Sequence, residues 1–315
     1  MSSIVFNKIF RKSFYFLDDR FNLKSKKLIE QNSSLYNQYK GENAFLLGTG
    51  ESLSRIDLSK LKNQFTLGTN LIFLHNNIKD LKLSAFMLLD SYRRGSRPQW
   101  PISELSLRED KSKERVYKEI NARLSRETEL FLPVDNHDLI NNIITNKKIY
   151  YLKINNLLEL NLEDPRERTL DFSKKRIYAG SSIYSGVLML LYMGFKKIFL
   201  CGQGYTYDPQ YVLHFYDNIN YPVSLNKNEA IKKIKARISE RRKKGAKMYY
   251  GGIIENDNLF RAVCKRNTVL DNRLHSKLKE YADQHGVKIY NIVPAGFKSP
   301  VYSKIRWSEV ESQVL

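Results

Sequence analysis

Cysteine is almost absent from this chain: 315 residues hold two, Cys201 and Cys264. Two thiols cannot build a disulfide framework or a cysteine-rich zinc centre, and they suit a reducing cytoplasm. Histidine is scarce too, five in all, and none falls in an HExxH or paired spacing. No Asp-x-Asp stands near a strand end either, so no metal site is indicated. No run of about 18 apolar residues occurs, which excludes a transmembrane helix. Residues Met1 to Lys12 lack a sustained apolar segment followed by a small-residue cleavage site, so no secretory leader is expected. Acidic residues are in deficit, 33 against 53 Lys and Arg, for a net charge of +20. That imbalance favours anionic partners without choosing among nucleic acid, acidic headgroups and phosphorylated small molecules. A solvated basic surface is the simpler reading.

Hydrophobic residues make up 42% of the chain, enough for a packed core. The length suits one large α/β domain, or one domain with a substantial insertion. Residues 1–40 form a first, basic amphipathic block. Phe6, Phe10, Phe14, Leu17 and Phe21 follow helical spacing beside Lys8, Arg11 and Lys12. Such a helix either packs on its own domain, the slightly preferred reading, or lies on an anionic membrane face.

The core begins with strand, glycine turn, helix, strand. Asn43–Gly48 reads as a buried strand, Gly48-Thr49-Gly50 as a turn, Ser52–Leu61 as a helix and Gln64–Thr69 as a second strand. Ser84–Leu89 is the third. This is the βαβ pattern of a parallel sheet. Residues 91–176 read as a helical insertion, with a possible strand at Lys148–Leu152. The core resumes with a buried helix over Ser182–Met193, ended by Gly194, and a strand at Lys197–Cys201. A helix at Arg273–Gln284 and a last core strand at Val287–Asn291 close it. The predicted class is α/β, a Rossmann-like open and mostly parallel sheet, with core spans 41–90 and 177–300. A basic lid occupies 205–266. Within it, residues 227–247 carry ten Lys and Arg against Glu229 and Glu240. That run is either a solvated helix or a contact for anionic lipid or acceptor. Nucleic acid ranks third, because no aromatic stacking platform or named module accompanies it.

In open parallel sheets ligands bind beyond the carboxyl ends of the strands. Four polar features fall there: Gly48-Thr49-Gly50-Glu51-Ser52, Asn70, Asp90, and Gly202-Gln203-Gly204-Tyr205. Glycines admit a phosphate close to the backbone, and a helix start supplies free N–H groups. The turn lacks the third glycine of a dinucleotide fingerprint and the Gly-Lys-Ser/Thr of a P-loop. Ser52 is equally an N-cap, Asn70 a turn residue and Asp90 a helix cap. Asp90 otherwise binds ribose hydroxyls or a metal. His214 sits in a Tyr- and Asp-rich stretch, Tyr207 to Asp217. There it is either a general acid or base or a histidine packed on aromatics.

The segments FLLGTGESLSRIDLSKLKNQFTLGTNLIFLH, SAFMLLDSY, YSGVLMLLYMGFKKIFLCGQGYTYD, HFYDN and HSKLKEYADQHGVKIYNIVPAG follow the order of the MptE-like (6-hydroxymethylpterin diphosphokinase-like) family. That family resembles in turn the bacterial CMP-sialic acid transferases. The resemblance spans residues 43–90 and 178–296. It implies that Gly48, Thr49, Gly50 and Ser52 hold nucleotide phosphates, and that Asn70 and Asp90 hold the nucleotide. It places Ser185 and Gly186 in a helix start facing the nucleotide, with Gly202 and Gln203 at the neighbouring strand end. Tyr205 and Tyr207 fall near the tyrosines that bind the departing phosphate, and His214 matches the family's loop histidine. Two departures stand out. Sialyltransferases carry their histidine shortly before the last helix, where this chain has Asn267–Asp271 and, a few residues on, His275. Their Gly-x-Asp aspartate is Gly204 here.

The expected function is metal-independent glycosyl transfer from a nucleotide sugar, with a CMP-activated nonulosonic acid as candidate donor. The acceptor would be a bacterial surface glycan or glycolipid, and no cofactor is required. The expected location is cytoplasmic, with peripheral contact at the inner membrane face as an option. One alternative is a Mg²⁺-dependent pterin-type diphosphokinase, which the shortage of paired acids disfavours. Another is a basic membrane- or nucleic-acid-binding protein with a degenerate nucleotide site.

Overall fold

A computed structural model describes residues 23–50, 52–53, 56–89, 110–155, 170–174, 177–178, 181–203, 272–293 and 299–314. The strands are β1 (Asn43–Leu47), β2 (Phe65–Thr69), β3 (Ala85–Met87), β4 (Glu129–Pro133), β5 (Ile149–Leu152), β6 (Ile154–Asn155), β7 (Ile177–Tyr178), β8 (Lys197–Cys201), β9 (Lys288–Ile292) and β10 (Ser303–Ile305). The helices are α1 (Leu23–Glu30), α2 (Ile78–Leu81), α3 (Asp110–Arg123), α4 (His137–Ile143), α5 (Ser182–Tyr192), α6 (272–284) and α7 (Trp307–Gln313). Eight strands form one parallel sheet in the order β10-β9-β8-β1-β2-β3-β4-β5, and β6 and β7 pair separately. This is an open Rossmann-like α/β architecture. From β1 the chain winds one way through β2 to β5, and from β8 the other way through β9 and β10. The switch point therefore lies between β1 and β8, where such sheets open a crevice.

Both faces of the sheet are covered, so the central strands are apolar throughout. Phe45, Leu47, Phe199 and Cys201 face one core, built with Ile29 of α1, Val116, Tyr117 and Ile120 of α3, and Val310 of α7. Ala44, Leu46, Ile198 and Leu200 face the other, under α5 and Leu278 and Ala282 of α6. Helix α5 is apolar on nearly every side because it is buried on nearly every side. Its last carbonyls are not left unpaired. The N–H groups of Asn37, Tyr39 and Gly41 donate to Tyr192, Met193 and Gly194 at 2.9–3.0 Å. Gly194 ends the helix at φ +89°, a conformation that favours glycine.

The structure departs from the sequence reading in three places. The predicted helix over Ser52–Leu61 is replaced by short 3-10 turns, at 52–53 and Leu58–Leu61. The Asp57 carboxylate accepts from Ser59 N (3.1 Å) and Ser59 Oγ (2.6 Å), a local bond that starts a fresh turn instead of continuing a helix. The span 91–176, expected as a helical insertion with a possible strand at Lys148–Leu152, supplies that strand as β5 and also the unforeseen β4 to the main sheet. Its apolar residues Leu130, Phe131, Leu132, Tyr151 and Leu152 are buried like those of the other strands. Val287–Asn291 is not the last core strand, because β10 and α7 follow it. The described part of the first block, 23–40, is integral to the domain. Ile29 and Leu35 are buried, and Asn32 Nδ2 donates to the carbonyls of Tyr151 (2.9 Å) and Phe172 (3.0 Å). The phenylalanine stripe and the basic run at 227–247 lie outside the described residues, as does the lid from residue 205. Among the described residues no helix is long and apolar enough to cross a membrane.

Candidate nucleotide-binding site

The loops after β1 and β8 meet backbone to backbone. Gly48 N–H donates to Cys201 O (2.8 Å) and Gly50 N–H to Gly202 O (2.7 Å). A Cβ on Gly48 would sit 2.8 Å from Gly202 O and 2.7 Å from Ile183 Cδ1. Gly202 adopts φ +71°, and a Cβ there would meet Gly48 O and Leu53 Cβ at 3.0 Å. Glycine is therefore required at both positions by turn-against-turn packing. The N–H groups of Gly48 and Gly50, which the sequence offered to a phosphate, are spent inside the protein. Among the described residues no α-helix directly follows this turn.

Helix α5 supplies the helix start. Asn70, at the end of β2, takes φ +53° and donates from Nδ2 to Ser182 Oγ (3.0 Å). Ser181 Oγ caps the helix by accepting from Tyr184 N at 3.4 Å. Eleven residues of helix thus begin beside the ends of β1 and β2, and their dipole places partial positive charge there. Thr69 Oγ1 donates to Leu47 O (3.2 Å) and ties the same two ends together. Ser185 and Gly186 lie one turn deeper and are fully buried, and a Cβ on Gly186 would meet Leu46 Cδ1 at 2.7 Å. Their small size serves the packing of α5 on β1.

Around this junction, buried polar atoms stand without partners among the described residues. Ser52 is 2% exposed and its Oγ is unbonded. Gln203, just past β8, leaves Oε1 unbonded. Asn291, one residue short of the end of β9 and fully buried, leaves both amide atoms unbonded. Orphaned buried groups of this kind cost stability, about 1–3 kcal/mol each, unless something bonds to them. Thr49 is buried in the same turn.

His275 of α6, unassigned in the sequence analysis, joins this cluster. It is 1% exposed, with Nδ1 2.8 Å from Tyr302 Oη and Nε2 3.3 Å from Gln203 Nε2. The rings of Tyr184 and Tyr302 stand edge-on to it at 5.9 and 5.5 Å. Burial lowers its pKa to about 4, so the ring is neutral at ordinary pH. With the Gln203 amide donating to Nε2, the ring proton sits on Nδ1 and goes to Tyr302 Oη. His275 thus orients Gln203. The sequence held one signal of its burial: His275, Leu278 and Ala282 share a helical face. Cys201 is buried and burial raises its thiol pKa, which keeps it unreactive.

The structure therefore brings together Gly48, Thr49, Gly50, Ser52, Asn70, Gly202 and Gln203. Asp90, Tyr205, Tyr207 and His214 lie outside the described residues. Among the described residues no group of three or more His, Cys, Asp or Glu could hold a metal ion.

No family model matches the chain. No curated protein matches it either. Solved structures with a similar course include sialyltransferase CstII from Campylobacter jejuni in complex with cytidine-5'-monophosphate. It is 12% identical over 85% of this chain and 86% of that one, with a TM-score of 0.40. Sialyltransferase CST-II in complex with a trisaccharide acceptor and CMP is 12% identical over 84% and 86%, with a TM-score of 0.36. An alpha-2,3-sialyltransferase from Campylobacter jejuni in apo form is 14% identical over 84% and 83%, with a TM-score of 0.34. At these identities and scores the likeness assigns no activity to this chain.

Proposed function

We propose that the protein transfers a sugar from a nucleotide-activated donor, a CMP-linked nonulosonic acid, to a bacterial surface glycan or glycolipid. The observation that carries this reading is the set of orphaned buried atoms, Ser52 Oγ, Gln203 Oε1 and the Asn291 amide, around the β1–β8 switch point. The start of α5 beside them favours an anion. A nucleotide answers both needs, with donors and acceptors for the orphans and a phosphate for the helix start. The order of sequence motifs, which resembles that of the MptE-like family, supports the same reading.

In this reading Thr49, Ser52 and Gln203 bond the nucleotide, and Gly48, Gly50 and Gly202 hold the two turns in register. Asn70 fixes the start of α5, Asp90 takes the ribose hydroxyls, and Ser185 and Gly186 let α5 lie close on β1. His214 is the base. It accepts the proton as the acceptor hydroxyl oxygen bonds to the anomeric carbon. The bond from that carbon to the phosphate oxygen breaks, and CMP leaves with the electron pair. Tyr205 and Tyr207 donate hydrogen bonds to the phosphate as its charge grows. The step is proposed to need no metal, and the basic segment 205–266 is proposed to attract the anionic donor or the inner membrane face.

The test is transfer from a CMP-activated nonulosonic acid to an oligosaccharide acceptor in EDTA, read by mass spectrometry. Transfer should proceed in EDTA. His214→Ala should lower it by roughly 10²–10⁴-fold while CMP still raises the melting temperature. Transfer only with Mg²⁺, or none from any CMP-sugar, would contradict the proposal.

A further inference from the structure

At the opposite, amino end of β8 and β9 the protein has a cavity of about 930 Å³. It lies one strand length, about 16 Å, from the switch point. Its walls come from the 33–41 turn, residues 170–174, the end of α5 and the end of α6. Three tyrosines converge there, Tyr36, Tyr192 and Tyr281. Tyr36 is 62% exposed and meets the Tyr192 ring at 5.5 Å, and Tyr281 stacks on His285 at 4.1 Å. Lys40, Lys174 and Lys196 line the same cavity, with Asp171 as the lining carboxylate. Asp171 is paired with Lys174 at 3.0 Å, which leaves Lys40 and Lys196 without a carboxylate among the described residues. At Gly41 and Gly286 a Cβ would meet nothing within 4 Å, so the backbone there borders open space.

We propose that this cavity binds an acidic saccharide, holding a distant part of the acceptor chain. The proposal rests on the glycan-transfer reading above. A bare phosphate is best held by cationic donors alone, whereas this lining mixes lysines with phenol rings. An extended ligand fits that layout. Tyr192 is buried and its Oη donates to Asn32 O (3.1 Å), so it backs the exposed Tyr36 ring, on which a sugar ring lies, while the ligand's carboxylates meet Lys40 and Lys196. The volume falls within the range of small-molecule sites, roughly 300–1,000 Å³.

The experiment titrates the full chain with an α2,8-linked sialic acid hexamer by calorimetry, with neutral maltohexaose as control. A CMP thermal shift is run on the same preparation. The hexamer should bind and maltohexaose should not. Tyr36→Ala and Lys40→Glu, both at exposed positions, should weaken binding at least 10-fold. Lys62→Glu, an exposed charge change outside the cavity, should not. Saturating CMP should leave hexamer binding intact. No hexamer binding, equal loss in Lys62→Glu, or competition by CMP would overturn the proposal. A hexamer bound as described by a protein that no nucleotide stabilises would uphold the cavity and remove the switch-point reading instead.

Discussion

At the carboxyl ends of β1 and β8, Gly48 and Gly202 are pressed against one another's carbonyl oxygens at 2.8–3.0 Å from where a Cβ would lie. Before β1 and β9, Gly41 and Gly286 have positive φ but open space around them, whereas at Gly194, before β8, a Cβ would meet Asn37 at 3.0 Å. The first pair is demanded by contact, the second by backbone conformation alone. The polar groups divide in the same way. The carboxyl end gathers neutral hydroxyls and amides whose hydrogen bonds are unmet among the described residues, and the amino end gathers lysines and tyrosines around a cavity. One end is locked and desolvated, as a positioning site must be. The other is open and basic, and suits weaker capture.

The largest break in this comparison should come from Gly48→Ala. Its Cβ would meet the Gly202 carbonyl, part of a turn that cannot rotate away. The expected loss is about 3 kcal/mol in urea unfolding, with loss of nucleotide binding. A loss below 1 kcal/mol would mean that the two turns are not locked.

His275 gives an effect of nearly that size, visible only with pH. Its folded pKa is about 4 and its unfolded value about 6.5. The unfolded chain therefore takes up the proton first as pH falls. The contribution is complete above pH 6.5, is lost between 6.5 and about 4, and does not change further below that. The integrated loss is at most about 3 kcal/mol. Urea unfolding of the wild type and His275→Asn across pH 7.5 to 4 measures it. The variant should start lower and lack this portion of the slope, and parallel profiles would refute the neutral, buried ring.

Gly286→Ala sharpens the contrast from the other end. With no contact to break, it should cost only the left-handed backbone penalty, about 1 kcal/mol. Equal melting temperatures for Gly48→Ala and Gly286→Ala would erase the distinction between the two ends.

The smallest stability effect belongs to Ser52→Ala. Removing a hydroxyl that bonds nothing among the described residues relieves its desolvation cost of about 1–3 kcal/mol, offset by the small void left behind, so the free protein should be no less stable than the wild type and at most about 1 kcal/mol more stable. Nucleotide affinity should nevertheless fall about 10-fold. A clear loss of stability in the free protein would show that the hydroxyl serves the fold instead.

The sequence displayed the parts of this molecule that repeat locally. Asn43–Leu47 and Lys197–Cys201 are apolar on both faces because both faces are buried, and that pattern is visible without a structure. The glycine turns that follow them were legible as turns, but their purpose was not. Their spent N–H groups depend on a contact between residues about 150 positions apart. β10 is three residues long, Ser-Lys-Ile, and carries no periodic signal. The Ser52–Leu61 helix failed because Asp57 bonds locally to Ser59, a competition that apolar spacing does not report. His275 joins Gln203 and Tyr302, 72 and 27 residues away, and only folding brings them together.

Nucleotide binding at the β1–β8 switch point can be measured without knowing the donor sugar or the acceptor. The most direct measurement is the thermal shift of the wild type and Ser52→Ala with CMP, CDP, UDP, GDP, ADP and ATP, each in EDTA and in Mg²⁺. CMP at 100 times its Kd should stabilise the wild type by about 2.7 kcal/mol in EDTA, and Ser52→Ala distinctly less at the same concentration. No shift with any of the six nucleotides, or identical shifts in the two proteins, would contradict the account.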